Sequence, residues 1–188
     1  FFKKNVSPII KGVFNVDRDP HTYDKYLTLL GAKMKLEDGG LIGSKSINIL
    51  LANNHLQKTG DTENYTYALA LELKKQGHNV EYFAFDLGEV SDLMEAEGIH
   101  YMTKKKYDLI LANHTSAVEH LHTHGYIIQT CHAIDPALEQ PSKYADEHVS
   151  VTQEVKEYVA SAGYESKVIH NGVDCERFAP IRPINEKL

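Results

Sequence analysis

From Ser46 onward this chain alternates apolar runs with amphipathic stretches of helix length. Residues 47–52 read as a buried strand, and 61–76 as a helix stopped by Gly77. The alternation continues with a strand at 79–85, a helix at 89–97 ended by Gly98, a strand at 107–112 and a short helix at 116–122. Strands at 126–130 and 148–151 follow, then a helix at 153–162 stopped by Gly163 and a last strand at 167–170. Strands that are apolar throughout, rather than alternating, are buried on both faces. The pattern therefore predicts an α/β fold, a Rossmann-like parallel sheet with helices on both faces. Sheets of this kind bind ligands beyond the carboxyl ends of their strands, so function is expected in the residues just after each strand.

The first 45 residues differ. Tyr23, Tyr26, Leu27, Leu30 and Met34 recur at helical spacing and predict a helix over 21–35, joined to the rest through Gly39, Gly40, Gly43 and Ser44. Residues 1–45 are thus expected to be a partly helical extension, 46–180 the domain, and 181–188 the start of a hinge. The 188 residues are enough for one α/β domain with a core, and a start at Phe1 rather than Met suggests a fragment or processed product. The formal charge of −6, with no basic stripe, argues against nucleic acid as a partner. The one basic run, Lys104, Lys105 and Lys106, reads as a solvated turn before a strand, with a peripheral membrane contact as the alternative. No apolar run approaches the ~18 residues of a membrane span, and Lys3 and Lys4 after Phe1 and Phe2 do not resemble a signal peptide. Two isolated cysteines, Cys131 and Cys175, suggest a reducing cytosol.

Candidate chemistry lies at the strand ends. The loop 53–63 leads through Gly60 into a helix start and reads either as a generic anion site or as a plain loop with Asp61 or Thr62 as N-cap. The glycine spacing of a dinucleotide fingerprint is missing. His132 follows a buried strand, where an imidazole that is neutral near pH 7 can exchange hydrogen bonds with a hydroxyl. His114 ends another strand and reads either as a cleft residue or as a helix cap. His120, His122 and His124 alternate, but without a zinc-protease pattern or a cysteine partner they read as solvated or capping residues, and no metal is expected. After His170, Asn171 and Gly172 permit a sharp turn, and Pro180 and Pro183 prevent an immediate regular element.

Four of these segments resemble, in order, those of the family 4 glycosyltransferases. Residues 167–180 resemble the "I-P-N-G-V-D-x-x-x-F-x-P" segment that closes the N-terminal domain of a two-domain GT-B enzyme. Gly60, Asp61, Thr62 and Glu63 are similar to "G-G-x-E", with Asp61 in place of the second glycine. Thr130, His132 and Pro136 match the segment whose histidine lies beside the donor sugar. Residues 145–156 resemble "A-D-x-V-V-x-V-S-E-x-V-K", with Thr152 as a helix N-cap. The resemblance implies the acceptor-binding half of a retaining, hexosyl-transferring enzyme of carbohydrate biosynthesis. A nucleotide-sugar would be the donor, a glycan or other hydroxyl compound the acceptor, and no cofactor or metal is implied. His132 would be the catalytic residue. Gly60, Asp61, Glu63, His114 and Asn171 would bind substrate. The nucleotide would belong to a C-terminal domain missing from these residues, and the protein would be cytoplasmic or membrane-associated. The alternatives are a non-catalytic glycan- or protein-binding module and half of a sugar-nucleotide epimerase. For the epimerase the sequence shows no pair of carboxylates that would meet in a cleft.

Overall fold

A computed structural model describes residues 46–135 and 137–171. The helix predicted over 21–35, the hinge, and Gly172, Cys175, Pro180 and Pro183 lie outside the described residues.

The elements run in the order β1 (Asn48–Ala52), β2 (His55–Leu56), α1 (Asp61–Lys75), β3 (Asn79–Phe83), β4 (Asp86–Leu87), α2 (Glu89–Ala96) and β5 (His100–Tyr101). They continue with β6 (Leu109–Ala112), α3 (Thr115–Leu121), β7 (Ile127–Cys131), a 3-10 turn (Ala137–Glu139), β8 (Glu147–Ser150), α4 (Gln153–Ser161) and β9 (Ser166–Val168). Seven strands form one parallel sheet in the order β5-β3-β1-β6-β7-β8-β9, while β2 and β4 form a separate parallel pair. The expected α/β sheet is present. Three strands were not expected, because β2, β4 and β5 have two residues each, too short to carry a period. The last strand is Ser166–Val168 rather than 167–170.

The apolar strands divide their side chains between two layers. Ile49 and Leu51 of β1 pack with Tyr65, Leu69 and Leu73 of α1 and Val90 and Met94 of α2. Leu50 and Ala52 point the other way, into a layer with Ala117, Val118 and Leu121 of α3. Val155 and Val159 of α4 cover Cys131, which lies an even number of residues from Ile127 in β7 and so shares its face, the α3 side. The predicted helix stops Gly77, Gly98 and Gly163 all take positive φ, at 91°, 67° and 89°. Thr152 caps α4 as expected, its hydroxyl accepting from Val155 N at 3.1 Å.

Chain direction across the sheet decides where a site can form. From β1 the chain crosses through α1 to β3 on one side, and β6 lies on the other side of β1. The crevice beyond the carboxyl ends of β1 and β6 is therefore the topological switch point of this sheet.

Candidate functional site

Two parallel strands with the same ending build the centre of this crevice. β1 ends in Leu51 and Ala52, followed by Asn53; β6 ends in Leu111 and Ala112, followed by Asn113. Ala52 is in register with Ala112, so the two asparagines come side by side. Asn113 Nδ2 donates to Asn53 Oδ1 at 2.7 Å and to Thr66 Oγ1 of α1 at 2.7 Å. Thr66 Oγ1 in turn donates to Asn53 Oδ1 at 3.0 Å. All three residues are buried. These bonds fix the amide of Asn113, so its Oδ1 faces the third strand end.

There it meets His132, which follows β7, at 3.1 Å from the ring Nε2. Because Asn113 Oδ1 can only accept, His132 donates from Nε2–H, which leaves Nδ1 to accept from Asn171 Nδ2 at 3.3 Å. The ring packs edge-on against Tyr65 at 5.1 Å. Burial pushes its pKa down to about 4, so the imidazole is neutral near pH 7 and works by hydrogen bonding rather than by charge.

His114 occupies the N-cap position of α3 but makes no cap bond. Its buried ring turns inward, and Nδ1 accepts from Asn54 N at 3.0 Å. The proton of the neutral ring is thereby placed on Nε2, which lies 3.6 Å from Glu139 Oε1. Burial, reinforced by nearby His55 and His132, lowers its pKa to about 4. The expectation of a helix-capping side chain is corrected: His114 ties the exit of β1 to the core of the cluster.

Glu139 is held in place by its neighbours. Thr115 Oγ1 donates to Leu138 O at 3.1 Å, and Gln129 of β7 binds both Gln140 O and Ser142 N, at 2.9 and 2.7 Å. The buried carboxyl accepts from His132 N at 3.1 Å. Burial raises its pKa, the bond from His132 opposes the rise, and the neighbouring Glu63 adds to it. Glu63 is near enough to Glu139 to raise its pKa, and both carboxyls are buried, an approach that the sequence did not suggest. They stand 76 positions apart in the chain, and only the fold brings them close.

At the start of α1 the two neighbours of Gly60 separate. Asp61 is exposed, and neither Asp61 nor Thr62 caps the helix; Gly60 occupies the N-cap position without a side-chain bond. Glu63 is buried and folds back over Gly60, where a Cβ would collide with Glu63 Oε2. The chain's own carboxyl therefore occupies the helix start that was expected to receive an anion. Glu63 Oε1 lies 2.7 Å from Nδ1 of His55, a residue just after β1 that sequence reasoning did not single out.

The structure therefore brings Glu63, His114, His132 and Asn171 together with Asn53, His55, Asn113 and Glu139, and leaves Asp61 at the surface. The repeated Leu-Ala-Asn endings, each followed within two residues by a histidine, were the signal that could have marked Asn53, His55 and Asn113. Among the described residues no group of three or more His, Cys, Asp or Glu side chains could hold a metal ion. The alternating histidines pack instead: His120 stacks on Phe83 at 5.0 Å, and His122 Nδ1 donates to Glu119 O at 2.7 Å. Two of the clustered lysines serve their own chain, Lys104 pairing with Glu81 and Lys106 bonding Thr123 O. No helix among the described residues is long and apolar enough to cross a membrane. A cavity of about 440 Å³ lies at the opposite end of the sheet, lined by Glu147, His148, Tyr164 and Lys167 among others.

Compared with protein-family models and with curated proteins, the chain gives no match.

Proposed function

We propose that this domain is the acceptor-binding half of a retaining glycosyltransferase of the GT-B kind, transferring a sugar from a nucleotide-sugar to a hydroxyl acceptor. One observation carries the reading. At the switch point of the sheet, amides, neutral imidazoles and two carboxyl groups converge, and no arginine occurs among the described residues. Such groups match the paired donor and acceptor character of sugar hydroxyls. They are a poor match for a diphosphate, which is recognised by cationic forks and free helix N-termini, and the start of α1 already carries Glu63. The nucleotide is therefore assigned to a separate domain and the acceptor to this one. His132, neutral and fixed through Asn113, serves as a preorganised hydrogen-bonding group beside the reacting sugar.

The test is transfer from an α-linked nucleotide-sugar by a protein in which this domain accompanies a nucleotide-binding domain. An α-linked product, with turnover reduced roughly 100-fold in His132→Ala, supports the reading. A β-linked product rules out retention, and undiminished turnover in the variant removes His132 from the chemistry.

The proximity of Glu63 and Glu139 favours a second reading, half of a sugar-nucleotide epimerase, in which one carboxyl would remove a proton from a sugar carbon. Incorporation of solvent deuterium into a nucleotide-sugar without transfer would select it.

A further inference from the structure

We infer that the outward Nε2 of His55 receives a hydroxyl group of the sugar acceptor, with Glu63 as its positioning residue; this rests on the acceptor-binding reading above. The pair is built asymmetrically. The Glu63 side chain is 6% exposed and that of His55 41%, so the carboxyl is the buried end and the imidazole the open end. Of the other two histidines, His132 has both ring nitrogens engaged and His114 has its Nδ1 engaged. His114 takes Asn54 N on Nδ1 and turns Nε2 toward Glu139, and His132 is engaged by Asn113 and Asn171. On His55 the contact to Glu63 uses Nδ1, and among the described residues Nε2 has no hydrogen-bond partner.

Two features select the tautomer. Glu63 lies in the first turn of α1, where the helix dipole favours a negatively charged group, and a carboxylate accepts rather than donates. Its Oε1 is buried and makes no hydrogen bond among the described residues. Leaving such an oxygen unsatisfied costs about 1–3 kcal/mol. The imidazole Nδ1 2.7 Å away is the donor at hand, although the contact as placed is not aligned as a hydrogen bond. With the proton on Nδ1, Nε2 carries its lone pair outward and accepts from a hydroxyl. The backbone of His55 is held in the short pair of β2 with β4, opposite Asp86, so the acceptor atom is presented from a fixed position. His55 is the residue that touches the sugar; Glu63 acts through it.

The test uses the full 188-residue chain labelled with nitrogen-15. Long-range proton–nitrogen NMR, at a pH where imidazoles are neutral, reads which ring nitrogen of His55 carries the proton. Nδ1–H is expected in the wild type, Nε2–H in Glu63→Ala, and Nδ1–H again in Glu63→Gln, which keeps a carbonyl acceptor. Saturation-transfer NMR with the methyl glycosides of glucose, galactose and mannose then reads binding. At least tenfold weaker binding is expected in His55→Ala, and partial recovery in His55→Gln, whose carbonyl oxygen reaches the place of Nε2. Nε2–H in the wild type overturns the dyad while leaving the acceptor reading standing. Equal glycoside binding by wild type and His55→Ala overturns the role of His55. No glycoside binding by a wild type with the expected tautomer overturns the acceptor reading itself, and the ligand assigned to His55 with it.

Discussion

Glu81 offers a measure of how far the polar interior of this domain sets its stability. The residue lies on β3 and is buried. Its carboxyl accepts from Thr103 N at 2.7 Å and Thr103 Oγ1 at 2.8 Å, and also from Tyr107 Oη and Lys104 Nζ. Burial alone would raise its pKa. The hydrogen bonds outweigh burial and hold it at about 2, against an ordinary 4.5. At about 1.36 kcal/mol per pKa unit the difference corresponds to about 3 kcal/mol. Lys104 is 37% exposed, so solvent screens its part, and about 2 kcal/mol is the working expectation. The folded pKa lies below the unfolded one. The contribution is therefore complete above pH 4.5 and is lost as the pH falls through that value toward 2. Glu81→Gln keeps the shape but not the charge. Urea unfolding followed by circular dichroism at pH 7, 5, 4 and 3 should show the variant less stable by about 2 kcal/mol at pH 7, with the gap closing toward pH 3. A gap that stays constant with pH, or no gap at pH 7, would refute the reasoning.

Gly60→Ala should fold, because φ at Gly60 is −145° and the colliding atom belongs to the flexible end of Glu63. The melting temperature should change little, while the NMR signature of the His55–Glu63 contact is lost. His114→Asn keeps an acceptor for Asn54 N but removes a ring whose pKa is pushed down to about 4. The wild type should lose stability as the pH falls from the ordinary histidine value of 6.5 toward 4, since the unfolded chain takes up the proton first. Unfolding curves of the variant should be flatter across that interval.

The legible part of this fold was whatever a local pattern could carry. Buried strands such as β1 and β6 are apolar throughout, and the rule that ligands meet strand ends was enough to select His114 and His132. Glu63 was reached only through the resemblance. Its burial and its contact with His55 depend on the helix folding back over Gly60. Glu139 sits in a 3-10 turn that follows no periodic stretch, and it gains its meaning from His114 and His132, contributed by two other strand ends. Thr66 lies inside an amphipathic helix and looks there like an ordinary polar position, yet it is buried against Asn53. Asp61 shows the converse. Its place in the motif resembles a site, but the first helical residue points to solvent while the third points inward.

The central claim is that the carboxyl ends of β1, β6 and β7 form a site for uncharged sugar hydroxyls. Its most direct test is residue-resolved NMR of the full chain, titrated separately with methyl glycosides and with UDP and GDP. The account predicts saturable shifts at Asn53, His55, Asn113 and His132 with at least one glycoside, and no shifts there with either nucleotide. Nucleotide-induced shifts at these residues, with none from any glycoside, would contradict it.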